Sequence, residues 1–121
     1  MPQLSSVVND INAQQVIEEN VYKLAGYVED SYNKRWGNHP NDTMNFLHEV
    51  APYDVQVKKG RKYYKITTDN AVHAFIDIHT GDVFKPASWN KPAAIVRYNL
   101  LTNPQDCFNR CDYAGGYLYI R

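Results

Sequence analysis

Two cysteines four residues apart, Cys107 and Cys111, four histidines and the acids Asp77 and Asp82 are the side chains whose chemistry could go beyond binding. A metal ion needs three or four such groups around one point. His73 and His79 share one face of an expected strand with Asp77 between them, yet six residues at ~3.3 Å each hold the imidazoles roughly 20 Å apart. His79 with Asp82 across a turn makes only an incomplete pair, so solvated histidines and no metal site are expected. The cysteines are expected to be plain thiols packed under a helix, the alternative being half of a metal site completed by a second copy. Asp77 and Asp82 flank a tight turn, where an aspartate usually braces backbone amides. Neither a glycine-flanked serine nor a phosphate-binding glycine loop occurs, and no cysteine sits in an electropositive frame with a histidine. No catalytic residue and no cofactor are therefore expected.

Basic and aromatic residues are more informative. The run VKKGRKYYK places Lys58, Lys59, Arg61, Lys62 and Lys65 around Tyr63 and Tyr64. That mixture can follow a nucleic-acid backbone and stack bases, although lysines on an exposed strand edge also discourage unwanted pairing. A second stretch, TGDVFKPASWNKPA (80–93), sets Trp89 between two lysine–proline pairs. Gly81 suits the left-handed position of a hairpin turn, and Pro86 should stop the strand that follows. A helix is expected to begin near Lys91 and Pro92, with Asn90 or Ser88 as its cap. Its N-terminus would then be an anion site on which Lys85, Ser88, Asn90, Lys91 and Arg97 converge beside Trp89. The alternative is that Trp89 folds back as a lid on the core.

These side chains need elements to position them. From Asn12 to Trp36, Ile17, Val21, Leu24, Val28 and Tyr32 recur at spacings of three and four, the stripe of an amphipathic helix. A tether, GNHPND, leads to a short helix expected over Thr43 to Glu49. After Pro52 the apolar period becomes two, predicting antiparallel strands at about 54–58, 61–68, 71–78 and 82–86. In the third strand Val72, Ala74, Ile76 and Ile78 face the core. The preferred register sets Arg61 opposite Asp77, Tyr63 opposite Phe75 and Lys65 opposite His73. A two-residue loop, Asp69-Asn70, would instead scatter polar groups over both faces. Asn103-Pro104 opens another short helix, and GGYLYIR is expected to end as an edge strand. Together these make an α+β fold, a long helix on a four- to five-stranded meander with short C-terminal helices.

A chain of 121 residues suits one domain, 1–121, with residues 1–52 as helical leader and linker and 53–121 as the sheet with its short helices. Net charge is zero, but residues 1–52 hold seven acids against three bases, a balance of −4, and residues 53–121 hold ten bases against six acids, a balance of +4. Such asymmetry suits an anionic partner, interspersed surface charge being the commoner cause. No stretch reaches the roughly 18 apolar residues of a membrane span and no signal peptide opens the chain, so a cytoplasmic protein without membrane contact is expected.

KYYKI, VHAFIDIHTGDVFKPASWNKPA and CDYAGGYLYIR together resemble small uncharacterised proteins of tailed bacteriophages and marine viral metagenomes. The likeness covers most of residues 53–121, and TGDVFKPASW is its most distinctive segment. It implies a phage source and a host-cytoplasmic setting and transfers no catalytic residue. The expectation is a non-enzymatic accessory module that binds nucleic acid or another polyanion through Lys58, Lys59, Arg61, Tyr63, Lys65 and the Trp89 loop. The alternative is a protein-interaction factor, acting on a host or phage protein or assembling as a homo-oligomer.

Overall fold

A computed structural model describes the backbone of residues 2–36, 53–69 and 71–119, with side chains from Asn12 to Arg35 and over the latter two ranges. The elements in order are α1 (Pro2–Trp36), β1 (Val55–Lys59), β2 (Tyr63–Thr68), β3 (Ala71–Asp77), β4 (Asp82–Phe84), β5 (Pro86–Ser88), β6 (Lys91–Pro92), β7 (Tyr98–Asn99) and α2 (Pro104–Arg110). A 3₁₀ turn, Gly116–Leu118, follows. The first four strands and β7 form one antiparallel sheet in the order β1-β2-β3-β4-β7, while β5 and β6 form a separate ribbon. The arrangement is α+β. Among the described residues no helix is long and apolar enough to cross a membrane. The short helix expected at Thr43 to Glu49 and the tether before it lie outside the described residues.

The stripe on α1 behaves as its spacing requires. Ile17, Val21, Leu24, Ala25 and Val28 are buried. The first four of these join the sheet residues Tyr64, Ile66, Ala74, Ile76 and Val83, with Leu100, Cys107 and Leu118 completing the core. Asn20, buried among the apolar positions, donates its Nδ2 to the Leu100 carbonyl (2.7 Å), which removes the cost of an unpaired amide. The helix begins earlier than Asn12: its backbone is already helical from Pro2, a residue whose fixed φ and missing N–H suit a first turn.

Strands β2 and β3 correct the expected register in an informative way. Thr68 pairs with Ala71 across a two-residue loop, and Asp69 there has φ of 48°. That is the loop that would scatter the faces, but the partner of Ile66 is Ala74 while that of Thr67 is Val72, so His73 is an extra, bulged residue. Beyond the bulge Tyr63 lies opposite Asp77 and Lys65 opposite Phe75. One inserted residue restores the parity, and Tyr64 and Ile66 reach the core with Ala74 and Ile76.

The turn after β3 follows its sequence signal. Asp77 Oδ1 accepts the N–H groups of His79 (2.8 Å) and Thr80 (3.0 Å). Gly81 has φ of +79°, and a Cβ there would meet the Leu101 backbone nitrogen at 3.0 Å. Asn99 ties this turn to β7, donating to the Thr80 carbonyl (2.9 Å) and Asp82 Oδ1 (2.8 Å) while accepting from Leu101 (2.8 Å) and Thr102 (2.7 Å).

Two expected elements are replaced. No helix starts at Pro92: Lys91 and Pro92 pair with β5, and the Ala93 N–H returns to the Lys85 carbonyl (2.9 Å). The Arg97 N–H then bonds to Val83 (2.8 Å), so strand-type contacts hold the stretch at both ends. Where the C-terminal strand is expected, Gly116–Leu118 form a 3₁₀ turn instead, because Gly115, at φ +79°, bends the chain and its carbonyl accepts from Leu118 (3.1 Å); Ile120 and Arg121 lie outside the described residues. The Asn103-Pro104 helix is present as α2, with Cys107 buried beneath it.

Candidate binding surface

Pairing places Lys58 opposite Lys65, Lys65 opposite Phe75, and Phe75 opposite Phe84, so these four form one row across the outer face of the sheet. Tyr63, on the same face, meets Phe75 (5.9 Å) and Phe84 (6.0 Å) edge-on. Phe75 is only 3% exposed, although it points away from α1. Strand β5 lies against β3 and helps to account for that burial.

Trp89 and Asn90 form the loop of the β5–β6 hairpin, since Ser88 pairs with Lys91. The indole is 46% exposed, so it is neither a lid on the core nor free of contacts. Lys65 Nζ lies 4.7 Å from its ring centroid and Lys58 Nζ lies 5.6 Å away, both within cation–π range. Lys65 also sits 5.6 Å from the Phe75 ring and donates to Asn90 Oδ1 at 3.4 Å. Like charges directly opposite on neighbouring strands repel. Here the electron-rich indole face draws both ammonium groups, and among the described residues no carboxylate forms an ion pair with either lysine.

The remaining expected site residues do not all converge. Lys59 lies on the opposite face, over the Tyr64 ring (5.7 Å). Arg61 is exposed in the β1–β2 loop, and Ser88 and Lys91 are exposed on the hairpin. Lys85 is held 4.4 Å over Tyr119, away from the indole's ammonium pair. Arg97 is half-buried, with Nε and Nη1 lacking a hydrogen-bond partner. The expected anion site at a helix N-terminus is therefore absent, because the chain after Asn90 is a ribbon.

One neighbourhood was not legible as a site. His73, expected to be solvated, is 6% exposed, and its Nε2 lies 2.7 Å from Tyr117 Oη. Burial lowers its pKa from 6.5 to about 4, with the Asp112 charge opposing the shift. Tyr98 Oη donates to the Tyr117 carbonyl (2.9 Å). Burial raises both thiols, Cys107 strongly and Cys111 to about 11, so neither is poised as a thiolate. Both cysteines are free, as their helical spacing implied. Among the described residues no three His, Cys, Asp or Glu side chains gather as a metal site. A bulge leaves no period to read, which is why His73 escaped the sequence pattern.

No curated protein and no solved structure matches the chain. A model of a family of unknown function, DUF7717, matches residues 4–120, nearly the whole length, and the protein belongs to that family.

Proposed function

We propose that the protein is a non-enzymatic binding module for nucleic acid or a similar polyanion, with the Trp89 hairpin and the Lys58–Lys65 pair at its centre. The observation that carries this reading is a half-exposed indole holding two ammonium groups that no carboxylate among the described residues pairs with. A phosphate chain would supply the missing negative charge, and an exposed indole face offers a base a stacking partner. Arg61 and Lys62 continue the positive charge along the β1–β2 loop, while Lys59 contributes from the far side of the sheet edge. In the phage setting that the TGDVFKPASW segment suggests, such a module would act as an accessory factor in the host cytoplasm.

Tryptophan fluorescence titrated with a single-stranded oligonucleotide and, separately, with heparin tests the proposal. Expected is a change in emission that weakens steeply as salt rises. No response to either ligand at low salt would remove the reading. A second reading, a protein-interaction or self-assembling factor, is favoured by Ile95 and Val96, adjacent aliphatics left 55% and 45% exposed after the ribbon. Light scattering decides it: a concentration-dependent mass abolished by Ile95→Ser supports this reading, and a monomer at all concentrations counts against self-assembly.

A further inference from the structure

A cleft of about 290 Å³ lies near the start of β3, at the opposite end of β5 from Trp89, with Lys85 and Pro86 in its wall. Tyr53, Tyr113 and Tyr119 provide ring surfaces, and Lys85 is the one charged side chain among the described residues that line it. Tyr53 and Tyr113 are fixed against each other edge-on at 6.3 Å, and Tyr53 is stacked on Tyr32 at 3.9 Å. Tyr53 and Tyr113 are therefore held in place before anything binds. His73 adds a buried polar group. Its Nε2 is taken by Tyr117, whereas its Nδ1–Cε1 edge faces Gly115 in the cleft wall. A Cβ on Gly115 would stand 3.7 Å from Nδ1, and glycine leaves that approach open.

Tyr117 Oη takes one ring nitrogen of His73, Nε2, at 2.7 Å. A neutral imidazole carries a single ring proton, so Nδ1 takes the role opposite to that of Nε2, and it is the ring nitrogen that Tyr117 leaves open.

We propose that this cleft is a second binding site, for a planar ring that carries one anionic group and is about the size of a mononucleotide. The ring packs on the tyrosines, one of its polar atoms pairs with Nδ1 of His73, and the anionic group faces Lys85. The proposal is independent of the Trp89 surface.

Amide NMR of the full chain titrated with UMP tests it, with uridine and inorganic phosphate as controls. Expected are shifts at Thr68, His73 and Gly115 with UMP, and binding weaker by about tenfold for uridine, which lacks the charge. Lys85→Gln should cost about the same factor, and Ala114→Trp, at an exposed position in the cleft wall, should abolish the shifts. The fluorescence response of Trp89 to oligonucleotide should survive in both variants. An absence of shifts in the cleft, or shifts that persist unchanged in Ala114→Trp, overturns the proposal. Shifts confined to Lys58, Lys65 and Trp89 also overturn it, while supporting the outer surface.

Discussion

Lys65 over Trp89 and Lys85 over Tyr119 are almost the same pair in isolation, an ammonium group 4.7 Å and 4.4 Å from a ring centre. Their surroundings separate them. Both rings are about half-exposed, Trp89 at 46% and Tyr119 at 57%, but at the hairpin a second lysine shares the ring, so two charges and a flat face are offered together. In the cleft a buried imidazole and fixed tyrosine rings stand behind the lysine, so a ligand must also match shape and hydrogen bonds. Contact type alone does not define a binding surface; burial of the groups behind it decides whether recognition is electrostatic or selective.

The sharpest test of this contrast concerns proton uptake. The folded chain holds His73 neutral down to about pH 4, while the unfolded chain protonates it near 6.5. Stability is therefore full above about 6.5 and falls as pH drops toward 4, by up to about 3 kcal/mol. Denaturant unfolding between pH 7 and 4 should show this slope, and His73→Gln should flatten it. Equal slopes in the two proteins would mean that the cleft is no more enclosed than the hairpin.

Next in size is Trp89→Ala, expected to weaken oligonucleotide binding by about 1–3 kcal/mol with stability nearly unchanged. A large stability loss instead would make the indole a structural cover for Phe75. Replacing Lys58 and Lys65 together by Gln should lower the slope of log affinity against log salt by about 0.7 for each charge that contacts a phosphate. An unchanged slope would show that the row across β1 and β2 does not contact the polyanion. The smallest effect is expected for Lys59→Gln, whose ammonium group lies over Tyr64 on the other face. A loss as great as that for Lys65→Gln would show that both faces of the sheet edge are engaged.

Much of the fold was legible because it rests on periodic burial. Ile17, Val21, Leu24 and Val28 announce a helix, alternation announces β1 to β4, and Gly81 marks the turn as its backbone requires, whereas Pro86, expected to end a strand over 82–86, opens β5 after β4 has ended at Phe84. Less of the site was legible. Lys58, Lys65 and Trp89 were singled out by type, but their meeting depends on Lys58 pairing with Lys65 and on the ribbon turning back over β3. Pro92-Ala93-Ala94 carried a local helix signal that two long-range backbone bonds, to Lys85 and Val83, overrode.

The sequence by itself determined the helix stripe, the alternating strands, the turn at Asp77 to Gly81 and the presence of a basic, aromatic second half, because each depends on neighbours along the chain. Only the tertiary structure decided the bulge at His73, the hairpin that carries Trp89 and the separation of Lys85 from the indole. Those depend on which strand lies beside which, and on which polar atoms are left to be satisfied once the core has closed.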